Sequence, residues 1–250
     1  MGIAVCFRDY GNGLVEWGYS KREPLTGPRL PTVEKIPSPP DEIRERAARR
    51  ASTAIRRWIM ARRLDHLLTL TYKENMICRR RAVRDLSLFM DKVRAANPGY
   101  SWVAVPERQK RGAWHWHIAV RGFQNVRLLR SLWLSVVGEG NIDVRCPYAK
   151  QGARWGRLRL AYYLAKYIKK NVHETGEGDH RYFRSRDGLK TDVEKIMLDK
   201  ISTAGVWIQE IITASGLRVM QTFETAYGGL GATWESLRKR FPAKMIPVLS

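Results

Sequence analysis

The sequence predicts a domain that mixes strands and helices around a central β-hairpin. The clearest sign is the run Trp114 to Val120, where apolar and polar residues alternate. A strand there sets Trp114, Trp116, Ile118 and Val120 on one face and His115, His117 and Ala119 on the other. A second sign is a set of short runs rich in β-formers, such as His66-Leu-Leu-Thr-Leu-Thr-Tyr72, which read as buried strands. The third is helical spacing between such runs: Ala82, Val83, Leu86, Phe89, Met90 and Val93 recur every three to four residues and give one apolar stripe.

Taken in order, residues 1–40 combine short apolar pieces with glycines and with Pro24, Pro28, Pro31, Pro37, Pro39 and Pro40, which suggests an irregular N-terminal arm. A helix is expected from Ser38, its cap, through prolines in the first turn to about Arg63. It is dense in cations: Arg44, Arg46, Arg49, Arg50, Arg56, Arg57, Arg62 and Arg63. Such a face is either solvated or set against phosphates. After the strand at 66–72, the 82–93 helix is stopped by Asn97-Pro98-Gly99. The hairpin strands then run from Tyr100 to Glu107 and from Ala113 to Arg121. A helix is expected from Asn125 to Val137 and a strand from Asn141 to Cys146. The next helix, about Gly156 to Asn171, gathers Ala161, Leu164, Ala165 and Ile168 on one side at about 100° per residue. Tyr163, Lys166, Tyr167 and Lys170 fall roughly opposite, which reads as displayed rather than buried. Beyond lie a basic patch (Arg181, Arg184, Arg186, Lys190) and a helix expected near Asp192 to Ser202. The organisation expected is therefore an arm at 1–40, a domain at 41–190 and a C-terminal extension at 191–250 with no role assigned.

Lys and Arg total 45 against 24 Asp and Glu, a formal net charge of +21. That excess favours a polyanionic partner, nucleic acid before an acidic membrane surface. Nine Trp and ten Tyr add stacking surfaces beside the cations. Cys6, Cys78 and Cys146 are odd in number and have no C-x-x-C spacing, which speaks against a disulfide framework or zinc ribbon and fits a reducing cytoplasm. No run approaches the ~18 consecutive apolar residues of a membrane span, so no membrane partner is expected.

Two imidazoles side by side on one strand face form a bidentate metal site, and Glu107, at the end of the preceding strand, reaches it across the Arg-Gln-Lys-Arg-Gly turn. A divalent ion held by Glu107, His115 and His117 keeps positions open and suits polarisation of a phosphate oxygen. Tyr163 and Tyr167 supply nucleophiles. A phenol with a reference pKa near ~10 attacks poorly at neutral pH unless a cation favours the phenolate, and Lys166 and Lys170 each stand three residues after a tyrosine.

These residues resemble the HUH endonucleases that initiate rolling-circle replication, in particular the two-tyrosine Rep proteins of single-stranded DNA phages and related plasmids. Leu68-Thr-Leu-Thr71 is similar to that family's first, structural motif. His115-Trp-His117 is similar to its metal motif, Tyr163-x-x-Lys166-Tyr167-x-x-Lys170 to its doubled nucleophile motif, and Glu107 stands eight residues before the first histidine, at its third-ligand position. The resemblance spans roughly residues 44–190. It implies an α+β fold with a central antiparallel sheet of about five strands and packed helices. It also implies Mg²⁺ or Mn²⁺ as cofactor, single-stranded DNA at a replication origin as substrate and a 5′-phosphotyrosine intermediate. Host helicase and polymerase are the implied partners, in the cytoplasm of a bacterial host cell. Gly228-Gly-Leu-Gly-Ala-Thr lacks the lysine of a phosphate-binding loop, so no nucleotide cofactor is expected. The alternatives are a transposase or relaxase with the same chemistry, or a non-catalytic nucleic-acid-binding protein whose tyrosines stack on bases.

Overall fold

The computed structural model describes residues 2–10, 14–22, 39–146, 153–174, 176, 179–186, 193–198, 206, 217–224 and 230–236. In chain order its elements are β1 (Gly2–Asp9), β2 (Leu14–Arg22), α1 (Pro40–Arg62), β3 (His66–Tyr72), α2 (Arg79–Ala96), β4 (Trp102–Arg108) and β5 (Trp114–Val120). They continue with α3 (Val126–Val137), β6 (Gly140–Arg145), α4 (Ala153–Lys170), β7 (Phe183–Arg184), β8 (Val193–Leu198), β9 (Leu217–Glu224) and β10 (Leu230–Ser236). The chain divides into two compact units, one of Met1–Pro37 with Leu189–Ser250 and one of Ser38–Gly188. The fold class is α+β.

The Ser38–Gly188 unit is built on an antiparallel sheet of order β6-β3-β5-β4-β7. Strand β5 is central and buried along its whole length, so both of its faces need a cover. Trp114, Trp116, Ile118 and Val120 join Leu68 and Leu70 of β3 in a core with Leu86, Phe89 and Val93 of α2 and Leu129 and Trp133 of α3. On the other face, Val103 and Val105 of β4, Ala119 of β5 and Leu67 of β3 pack with Ile55 and Ile59 of α1 and Leu160, Ala161, Leu164 and Ile168 of α4. Helices thus lie on both faces, α2 and α3 opposite α1 and α4. Trp133 ties one layer together: its ring meets Tyr72 and Phe89 edge-on at 5.2 and 5.5 Å, and its indole N–H donates to the Thr71 carbonyl at 3.1 Å. Trp133→Ala would cost about 3–5 kcal/mol through the lost contacts and cavity. Gly140 is required beside it, since a Cβ there would come within 2.6 Å of the Thr71 carbonyl oxygen.

Helix α1 starts at Pro40 with Pro39 as N-cap and no side-chain cap bond; the expected cap, Ser38, lies outside the described residues. The helix ends where Arg63 turns left-handed (φ 54°) and the Leu64 N–H bonds back to the Ile59 carbonyl at 3.0 Å, a closure that satisfies terminal carbonyls. No helix among the described residues is long and apolar enough to cross a membrane.

The other unit corrects two expectations. Its sheet runs β8-β1-β2-β10-β9. Residues 2–9 and 14–22, expected as irregular, form two antiparallel paired strands in which Gly2 faces Arg22 and Asp9 faces Val15. Tyr10 donates to the Glu16 carboxylate at 2.9 Å, and Arg8 pairs with the same carboxylate; the prolines at 24–37 lie outside the described residues. Residues 193–198, expected within a helix, form β8 and pair with β1 from Ile3↔Leu198 to Arg8↔Val193. Helical propensity differs between residues by only ~0.7 kcal/mol, and pairing with a distant strand overrides it.

Candidate active site

The hairpin register places the sequence-identified ligands together. Glu107 of β4 is directly opposite His115 of β5, and Val105 is opposite His117, so all three polar side chains project from the face that α1 and α4 cover. His115 and His117 are buried, at 8% and 6% exposure. The Glu107 carboxylate is shared: His117 Nε2 lies 2.7 Å from Oε2, and the Lys170 ammonium donates to Oε1 at 2.7 Å. Burial would raise the Glu107 pKa, but hydrogen bonds and charge from His117 and Lys170 overcome it and hold the carboxyl at about 2. His115 is pushed down to about 4, first by burial and then by the charges of His117 and Arg111 against the opposing pull of Glu107. At neutral pH the site therefore offers an anionic carboxylate beside a neutral imidazole.

Two tyrosines close over this pair. The Tyr167 ring stacks on His117 with centroids 4.1 Å apart and 12° between planes. Tyr163 meets His117 edge-on at 5.8 Å and Tyr167 at 5.1 Å. The Tyr167 hydroxyl donates to the Tyr163 hydroxyl at 2.7 Å. The reading of both tyrosines as displayed to solvent is overturned: Tyr167 is 9% exposed and Tyr163 partly buried against the same core, while the neighbouring Tyr162 is the exposed one. Helix α4 packs against α1 and against the sheet at once, so a wider arc than one apolar stripe is covered. Lys166 remains exposed. Lys170, expected to serve its own tyrosine, is ion-paired with Glu107.

No group of three or more His, Cys, Asp or Glu among the described residues stands arranged to hold a metal ion. The donor set nevertheless fits a divalent cation. His115 Nε2 and His117 Nδ1 are buried without a hydrogen-bond partner among the described residues, and such orphaned atoms are uncommon in folded proteins. The Glu107 carboxylate is already charged, and the Lys170 ammonium on its Oε1 is a cation bound by an oxygen that could equally serve a metal ion.

Two residues bonded to the candidate site escaped the sequence reading. Asn171, 4% exposed, donates through Nδ2 to the Pro106 carbonyl at 2.8 Å, and with the neighbouring Lys170–Glu107 pair it fastens the end of α4 to the end of β4. Gln109 Nε2 lies 3.1 Å from His115 Nδ1, and its Oε1 accepts from Arg111 Nε at 3.1 Å. That second bond orients the amide so that its N–H donates to Nδ1, leaving the His115 proton on Nε2. Ligation through Nε2 would need the amide to turn and the tautomer to change. Gln109 shares the parity of Glu107, and that was the available signal; Asn171 carried none beyond its place after the tyrosine motif.

Residues 65–172 match the model of the replication-associated protein ORF2/G2P family, a span that contains the histidine pair, Glu107, both tyrosines and both lysines. No curated protein and no solved structure matches the chain. Over residues 65–172 the chain is thus similar to replication-associated proteins.

Proposed function

We propose that the chain initiates rolling-circle replication by nicking and rejoining single-stranded DNA at an origin with a tyrosine nucleophile. The observation that carries this reading is the seating of Tyr163 and Tyr167 on His117, itself bonded to Glu107, within the stretch that matches replication-associated proteins. Glu107, His115 and His117 are the residues that would hold Mg²⁺ or Mn²⁺, and the bound ion supplies polarisation of the phosphate oxygens. A tyrosine oxygen attacks phosphorus, the bond from phosphorus to the 3′ oxygen breaks, and a 5′-phosphotyrosine forms. The phenolic proton ends on the released 3′-OH, so one ester replaces another and no nucleotide cofactor is required. A host helicase would then unwind the duplex while a host polymerase extends that 3′ end in the bacterial cytoplasm.

The two tyrosines lie at i and i+4, about 6 Å apart along the helix axis, close enough to serve one phosphate site in alternation. While one holds the 5′ end, the other cuts the regenerated origin, and the new 3′-OH attacks the first phosphotyrosine to close a circle. Lys166, exposed on α4, would stabilise phenolate charge, and Lys170 holds Glu107 in place.

Incubation of the full chain with single-stranded origin DNA and Mn²⁺ or Mg²⁺, followed by a denaturing gel, tests the proposal. A covalent adduct that EDTA prevents is expected. Tyr163→Phe and Tyr167→Phe should each retain an adduct, and only the double variant should lose it. Loss of all adduct in one single variant, with DNA binding intact, would end the alternating scheme. Binding with no adduct under any metal would favour the non-catalytic reading, and cleavage confined to transposon ends or transfer origins the transposase or relaxase.

A further inference from the structure

Away from the tyrosine site, the Ser38–Gly188 unit holds an aromatic ring out to solvent. Phe123 is 92% exposed, the most open of the large hydrophobic side chains among the described residues, and forgoes the burial a phenyl ring ordinarily gains. Its loop is fastened on both sides. Gln124, itself buried, donates through Nε2 to the Arg121 and Gly122 carbonyls at 2.9 Å each and accepts through Oε1 from the Tyr100 hydroxyl. The Gly122 N–H donates to Asp65 Oδ1 at 2.7 Å, and Gly122 takes a φ of 66°, which glycine adopts freely. The Asn125 side chain caps α3 by accepting from the Leu128 N–H at 3.1 Å. The exposure of Phe123 is therefore built into the fold.

Phe123 borders a cavity of about 180 Å³ whose wall includes Val93, Leu128 and Tyr100. That is below the roughly 300–1,000 Å³ of sites that enclose a whole small molecule, so it suits one flat part of a longer ligand. Tyr100 also lines a second cavity, of about 380 Å³, together with Trp102, Arg94, Arg184 and Arg186. The one carboxylate among its described lining residues is Asp91, which pairs with Arg94 at 2.8 Å. Arg184 and Arg186 thus bring two positive charges that no lining carboxylate matches. Charge around Phe123 has the same sign, since from Arg121 to Gly138 there are three arginines and no acid. Side chains of β4 alternate, so Trp102 faces away from Glu107, which lies roughly 17 Å further along the strand. Arg184, on the edge strand β7, also stands over Trp58 of α1 at 4.2 Å, where the two faces of the sheet meet.

We infer that these two adjoining cavities form a second contact for single-stranded DNA, with an unpaired base stacked on Phe123 and a backbone phosphate taken by Arg184 and Arg186. The choice of DNA rests on the nicking proposal, and the unmatched charge favours a polyanion over an apolar peptide on its own account. An aromatic ring beside cations binds a strand without reading its sequence, because every base has a π-face and every phosphate a charge that a guanidinium fork accepts. A strand leaving the tyrosine site rounds the sheet edge at Arg184 and continues along the end of α2. The contact holds flanking DNA, and the chemistry stays with Glu107, His115, His117 and the tyrosines.

The test uses the full chain in EDTA, where metal-dependent nicking does not intervene, and a fluorescent thymidine oligonucleotide of about 30 nucleotides read by anisotropy across a salt series. Phe123→Ala should weaken binding about tenfold, toward the low end of what one stacked base contributes, with the salt slope unchanged. Phe123→Trp should bind as the parent does and Phe123→Leu as the alanine variant does, because leucine is apolar but has no π-face. Arg186→Gln should also weaken binding, with the slope of log affinity on log salt shallower by about 0.7, one phosphate of a single strand. Both side chains are exposed, so the circular dichroism of each variant should match the parent. Parent-level affinity of either Phe123→Ala or Arg186→Gln would overturn the inference, and if both bind as the parent does the face is left to a protein partner. So would parent-level affinity of Phe123→Leu, which would make the ring an apolar plug and not a stacking platform. Adduct formation in Mn²⁺ is scored separately: a parent that binds the oligonucleotide but forms no adduct on origin DNA sinks the nicking proposal and leaves this contact standing.

Discussion

His117 is the residue on which the site converges, since it bonds Glu107, lies flat under Tyr167 and stands edge-on to Tyr163. His117→Ala should abolish adduct formation while single-stranded DNA affinity stays within about twofold, because affinity comes mainly from cation contacts to phosphate; parallel adduct and anisotropy measurements check this. Across the sheet, Asp85 of α2 is 7% exposed, and its pKa is raised by burial against the opposing effects of Tyr72, Arg81 and Arg84. A carboxyl raised in this way contributes its stability fully below the unfolded pKa of about 4 and loses it as pH rises through the folded value. Asp85→Asn mimics the protonated form throughout. It should match the parent in acid and become the more stable protein as pH rises to neutrality, which thermal melts across that range would reveal. Neither behaviour is legible from residue type alone: Asp85 reads as one more helical carboxylate until its burial is known.

At the scale of elements, the end of α4 is joined to the end of β4 by the adjacent contacts of Lys170 and Asn171. Asn171→Ala removes the donor to the Pro106 carbonyl and should cost about 1–2 kcal/mol in urea unfolding. Its effect on adduct rate should exceed its effect on DNA affinity, since the tyrosines lose register over His117; equal losses of both would mark Asn171 as a general structural residue. The arginine-rich α1 divides by position. Arg46 and Arg49 form exposed i,i+4 pairs with Glu42 and Glu45, worth about 0.3–0.5 kcal/mol each. Arg62 is buried against Trp58 with its guanidinium 3.7 Å from the ring centroid, and Arg184 lies over the same ring at 4.2 Å. Glutamine at 46 and 49 should leave the melting temperature nearly unchanged, whereas Arg62→Gln should lower it clearly. Counting arginines in the sequence cannot make that division, because it depends on which side of α1 meets its neighbours.

For the whole molecule, the Ser38–Gly188 unit contains both layers of helices, its sheet and every residue of the candidate site. A fragment of residues 38–188 is expected to fold with a cooperative transition and to form the adduct; a fragment that stays unfolded by circular dichroism would show that residues beyond it are needed. Much of this unit was legible in the sequence. The alternation at 114–120 determined which side chains of β5 share a face, because strand side chains alternate whatever the strand's neighbours, and the short turn after Glu107 determined that the carboxylate would meet the histidines. The order of helices and strands between 40 and 170 was legible for the same reason, since periodicity and breakers act locally. Other features were decided only by the tertiary structure. The 193–198 segment is a strand because β1 is there to pair with it. Tyr167 is buried because α4 lies against both α1 and the sheet. Lys170 meets Glu107, and Asn171 the Pro106 carbonyl, across more than sixty residues of chain. Each of these depends on a partner distant in sequence, and no local pattern encodes where such a partner will lie.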